Sequence, residues 1–120
     1  MSSNGLSVAR FAGEVNGQRV LSFRGPVTLE NIGSFQTALQ VEESPLVIVD
    51  LAEVPYVDSA GLGSLVRAHV SRQKAGKQII LTGVNDRVMK LFEITGVEPL
   101  FLIFPNLDRA IDALTHTANA

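Results

Sequence analysis

The sequence predicts an α/β domain in which a mixed, mostly parallel sheet of about five strands is flanked by about four helices. Three observations carry that prediction. Leu46–Leu51 and Gln78–Thr82 are short apolar runs rich in β-branched residues, the composition of strands buried on both faces. Segments with helical spacing alternate with them, the order in which crossover helices join parallel strands. Near the start, apolar residues flank an Asn16-Gly17 pair, a strong short-range signal for an antiparallel hairpin, and this makes the sheet mixed.

The elements follow in order. Leu6 to Glu14 holds Val8 and Phe11 in a weakly alternating strand, and Arg19 to Arg24 returns as its hairpin partner. Gly25-Pro26 ends that strand. Thr28 is placed to cap a helix from Leu29 to about Val41, whose apolar stripe is Leu29, Ile32, Phe35 and Leu39. Glu42-Glu43-Ser44-Pro45 is a polar stop. After the buried strand Leu46–Leu51, Ala60 to Ala75 reads as a helix with Leu62, Leu65, Val66, His69 and Val70 on one side, and Gly76 ends it. Gln78–Thr82 is the next strand. Asn85 caps a helix Asp86–Thr95 whose stripe is Val88, Leu91, Phe92 and Thr95, and Gly96 stops it. Leu100–Phe104 is the last strand. A helix from about Leu107 to Leu114 turns Leu107, Ala110, Ile111 and Leu114 inward, and a frayed tail begins at Thr115.

Length and composition narrow the function classes. The 120 residues fit one domain, 1–120, with a core of about 6–115 and short frayed ends. Apolar residues make up 46% and charged residues 18%, a globular balance. The formal charge of −2 argues against a general nucleic-acid binder, which shows a basic excess. With no cysteine, disulfides, thiolate metal sites and cysteine nucleophiles are excluded. No apolar run approaches the roughly 20 residues of a membrane span, and the first residues lack the basic start and apolar stretch of a signal peptide. A cytoplasmic protein without membrane insertion is expected.

The densest local signal is Asp58-Ser59-Ala60-Gly61-Leu62-Gly63. It sets a hydroxyl beside a carboxylate where a strand hands over to a helix, and a phosphate at such a place meets free N–H groups and the positive end of the helix dipole. A plain N-cap accounts for Asp58. It does not account for Gly61 and Gly63, each costing about 1 kcal/mol against alanine within a helix. Small residues there would let another backbone approach. Local chemistry leaves cap and functional site equally open. Catalytic readings fare worse. A dinucleotide loop needs a third glycine where Val66 stands, and no Gly-Lys-Ser/Thr occurs. A nucleophile elbow needs glycine where Val57 stands. His69 lies ten residues further along the helix, about 15 Å away, and His116 falls in the tail. His69 is expected to be a half-buried helix residue, and two histidines without an acidic cluster make no metal site. Arg67, Arg72, Lys74 and Lys77 read as ordinary surface. What survives is a hydroxyl whose modification would add about −1.5 to −2 charges to a binding surface.

Three stretches carry a resemblance: Val47–Leu51, Val57–Gly63 and Lys90–Val97. Together they resemble the STAS domain family of anti-sigma factor antagonists, from the first hairpin to the last helix. The resemblance implies a non-enzymatic, bacterial regulator without a cofactor. It implies a partner that is both anti-sigma factor and ATP-dependent serine kinase, and a phosphatase that resets the switch. It makes Ser59 the phosphoacceptor, with Thr28, Asp58, Ser59, Ala60, Gly61, Leu62 and Gly63 meeting the partner. The loop Gly25-Pro26-Val27-Thr28, expected near the serine, carries Thr28 where many members carry aspartate. The alternative expectation is an unphosphorylated subunit of a larger assembly, such as a lipid-transport complex or a signalling scaffold.

Overall fold

A computed structural model describes residues 5–13 and 17–118. Five strands, β1 (Ser7–Ala12), β2 (Gln18–Arg24), β3 (Leu46–Glu53), β4 (Gln78–Thr82) and β5 (Leu102–Phe104), lie side by side in chain order. β1 and β2 pair antiparallel, from Ser7 opposite Arg24 to Ala12 opposite Arg19. The other three pairings are parallel. The mixed sheet therefore stands as its sequence pattern predicts. Of the expected hairpin turn, Asn16 lies outside the described residues, and Gly17 takes a positive φ of 88°.

Among the described residues, three helices join successive parallel strands, α1 (Ile32–Gln40), α2 (Ser59–Lys74) and α3 (Asp86–Thr95), and α4 (Leu107–Ala118) follows the last strand. Alternation along the strands sorts residues onto two faces. Leu21, Phe23, Val47, Val49, Leu51, Ile79 and Leu81 join one apolar cluster with Phe35 and Leu39 of α1, Leu62 and Leu65 of α2, and Val88 and Phe92 of α3. The Phe23 and Phe35 rings meet with centroids 4.8 Å apart. The alternate residues Val20, Ile48 and Ile80 are also buried, as is Ala110 of α4. β3 is thus covered on both sides, which is why its sequence is a near-continuous apolar run rather than an alternating one.

Several expected boundaries move. Thr28 does not cap α1, which begins at Ile32. The side chain of buried Asn31 takes the loop instead: its Oδ1 accepts from the Thr28 N–H at 2.9 Å and its Nδ2 donates to the Pro26 carbonyl at 2.8 Å. Leu29 leaves the stripe and is 70% exposed. Val70 and Thr95 also face solvent. The last strand starts at Leu102, because Glu98–Leu100 form a short 3-10 turn and Phe101 turns into the core. α4 continues past Leu114 to Ala118.

Arg72 is not surface. Its buried guanidinium donates to the carbonyls of Glu42, Ser44 and Gln78, tying the α1–β3 loop, α2 and the start of β4 together. Burial pushes its pKa down, and the charge of Glu42 partly offsets that.

Candidate functional site

Two loops at the carboxyl ends of β2 and β3 build one surface, and backbone hydrogen bonds sew them together. The Val27 N–H donates to the Tyr56 carbonyl and the Asp58 N–H donates to the Val27 carbonyl, both at 3.1 Å. Val27 and Val57 thereby form an isolated parallel bridge. Beside it the Gly25 N–H donates to the Glu53 carbonyl at 3.0 Å. The β2–α1 loop and the entry to α2 are consequently one rigid unit.

Asp58 completes the junction. As the N-cap of α2 it is extended, with φ −89° and ψ −179°, and its Oδ1 accepts from the Gly61 N–H at 2.8 Å. Its Oδ2 accepts from the Leu29 N–H at 3.0 Å. One carboxylate therefore caps the helix and pins the neighbouring loop. Ser59, the first residue of α2, is exposed right beside that clamp.

The residues singled out from the sequence divide here into two groups. Thr28, Asp58, Ala60 and Gly63 are half-buried and Ser59 is exposed, so all five reach the surface. Gly61 and Leu62 turn inward. The expectation that a bare Gly61 would admit a partner's backbone meets a different fact. A Cβ at position 61 would stand 2.5 Å from the Val27 carbonyl oxygen and 2.8 Å from Val57 Cγ1. The backbone that approaches Gly61 belongs to the same chain, and the glycine is there so that the two loops can close.

Sequence reasoning missed three members of this surface. Helical spacing puts Leu29 in an apolar stripe, yet it stands exposed on the β2–α1 loop, where Asp58 holds its N–H. Asn31 carried no pattern at all, although its side chain braces the loop from within. Arg87 lies over the Tyr56 ring, 4.8 Å from its centroid, a cation–π contact at the edge of the site. An Asn five residues after the proline of a Gly-Pro break could have signalled the second; nothing local announces the other two.

Among the described residues, no histidine side chain is hydrogen-bonded to Ser59. His69 is half-buried further along α2, its ring 5.1 Å from that of Phe101. Among the described residues no three His, Asp or Glu side chains gather to hold a metal ion. No helix among them is long and apolar enough to cross a membrane.

Residues 9–110 match the STAS domain family. An anti-sigma-B factor antagonist of Listeria monocytogenes is 42% identical over 64 residues, which cover 53% of this chain and 56% of that protein. The chain thus spans little more than half the length of that curated relative. Among solved structures, an anti-sigma factor antagonist from Mycobacterium paratuberculosis superposes with a TM-score of 0.75 at 21% identity, covering 94% of this chain and 97% of the other. The Bacillus cell fate determinant SpoIIAA in its phosphorylated form superposes with a TM-score of 0.66 at 16% identity, covering 90% and 99%. At such identities the likeness is one of fold.

Proposed function

The chain belongs to the STAS domain family, and on that premise we propose that it is an anti-sigma factor antagonist switched at Ser59. In its unmodified state it binds an anti-sigma factor that is also a serine kinase, and so releases the sigma factor. The kinase then inactivates it. Ser59 Oγ attacks the terminal phosphorus of kinase-bound ATP, the bond to the departing ADP breaks, and the hydroxyl proton passes to a base of the kinase. A phosphatase hydrolyses the ester and restores binding.

One observation carries this reading: an exposed serine hydroxyl sits on a rigid two-loop platform whose adjacent carboxylate is already engaged by the Gly61 and Leu29 amides. The platform does not reorganise when Ser59 is modified, so the added charge acts on the partner rather than on the fold. A loss of about 3 kcal/mol there weakens a complex more than a hundredfold. Further support comes from the Listeria relative named for antagonism of an anti-sigma-B factor, and from the phosphorylated state of the Bacillus protein that shares the fold.

The test is incubation with ATP and the serine kinase encoded nearest to this chain's gene, followed by intact mass and binding measurements. Wild type is expected to gain one phosphate. Ser59→Ala should bind the kinase and gain none, and Ser59→Asp should bind at least tenfold more weakly. Neither phosphate nor binding with wild type would overturn the proposal and favour a role as a subunit of a larger assembly.

A further inference from the structure

Gly61 is explained by the loop it packs against, and Gly63 is not. A Cβ at position 63 would meet a single group within 4 Å, Nη1 of Arg67 at 3.4 Å. Nothing in the protein's packing therefore calls for glycine there, although glycine is a poor helix residue. What the bare position does provide is a slot. Residues four apart on a helix lie one above the other on the same face, so Ser59, Gly63 and Arg67 form one row on α2. Arg67 folds back along this row towards the start of the helix. Its guanidinium rests over Gly63, one turn below the Ser59 hydroxyl. Arg67 is exposed and takes part in neither of the ion pairs that Arg10 and Arg19 make with Glu42.

We propose that Arg67 is a built-in counter-charge for a phosphate on Ser59, reached across the slot that Gly63 leaves open. This inference rests on the reading of Ser59 as the phosphoacceptor. Arg67 neutralises part of the new charge and draws the phosphate back over Ala60 and Gly63, the exposed face of the first turn that a partner would cover. A guanidinium suits this task because its planar fork presents paired donors to a phosphate. Of the other charged groups at the site, Arg87 is held over the Tyr56 ring, and two carboxylates act in the opposite sense to Arg67 at Ser59. Asp58 precedes it and Glu30 stands on the β2–α1 loop, both carboxylates. Arg67 is the cation that the row places within reach. Gly63 then serves the modified state: any larger side chain would lift the guanidinium away from the helix.

The decisive measurement avoids the kinase. Phosphoserine is installed at position 59 of the full chain by genetic encoding, and the phosphate is titrated by phosphorus NMR in wild type, Arg67→Gln and Arg67→Lys. Because Arg67 is exposed, all three variants are expected to fold alike, which circular dichroism verifies. The second ionisation midpoint should lie about 0.2–0.7 pH units lower in wild type than in Arg67→Gln, the range for an exposed ion pair. Arg67→Lys should fall between them, and 0.5 M salt should shrink the difference, as screening requires (a Debye length of about 4–5 Å). Equal midpoints in wild type and Arg67→Gln would overturn the assignment while leaving the phosphoswitch intact. Failure of the kinase to modify Ser59, by contrast, would sink the switch and would not move these midpoints.

Discussion

At the scale of single residues, Gly61 and Gly63 look equivalent in the sequence and differ in kind in the structure. Gly61 is a packing requirement: the Val27 carbonyl oxygen and Val57 Cγ1 both lie where its Cβ would be. Gly61→Ala must push the two loops apart or bend the start of α2, and is expected to destabilise the protein by about 1–3 kcal/mol, as overpacking does. Gly63 faces only the flexible end of Arg67. Gly63→Ala should stabilise it by about 0.5–1 kcal/mol through helix propensity and a less free unfolded chain. Urea unfolding midpoints of the two variants should therefore move in opposite directions. A stabilised Gly61→Ala would show that the two loops do not depend on that close approach.

Among the elements, Arg72 is a three-way tie. It joins α2 to the α1–β3 loop and to β4 through three carbonyls, two of them 28 and 30 residues away in sequence. Arg72→Met would keep much of the side chain's volume and leave those carbonyls without their donor. A loss of about 2–3 kcal/mol in the urea unfolding free energy is expected, the size of stranded buried acceptors; a change below about 0.5 kcal/mol would mean that water replaces the guanidinium at no cost. The same distances explain what the sequence hid. β3, β4 and α3 were legible because their signals are local: β-branched runs, the Asn85 cap and the left-handed Gly96 each act within a few residues. Arg72 reads as surface in the sequence because two of its three partners lie far along the chain. The start of α1 was misplaced for a similar reason. The Leu29 N–H that would open a Thr28-capped helix is taken by Asp58 from another loop, and Asn31 claims the Thr28 N–H. At the site, Ser59 and its acidic neighbour were readable from the motif, whereas the inward turn of Gly61 and Leu62 and the outward turn of Leu29 depend on how two loops meet.

For the whole molecule, the positions of site and core decide what kind of switch is possible. Val47, Ile48 and Val49, all at 0% exposure, lie in the N-terminal half of β3, whereas Ser59 follows that strand's carboxyl end and is exposed. No buried side chain need move to accommodate a phosphate there. A modification that acted by refolding would have to disturb the sheet, and a surface charge has no means of doing so against a core of this continuity. Phosphorylation of Ser59 should therefore change the unfolding free energy by less than about 1 kcal/mol, within the range of helix-terminus and surface-charge effects. Amide chemical shifts on modification should change in two segments, 27–31 and 57–67, which the Val27–Val57 bridge and the Asp58 clamp connect. Residues 46–50 of β3 and 78–82 of β4 should stay in place. A two-dimensional amide spectrum of the phosphorylated and unmodified chains checks this directly. Shifts spreading through the sheet would mean that the charge is felt by the core, and partner release would then have to be explained by a conformational change rather than by a phosphate standing on the contact face.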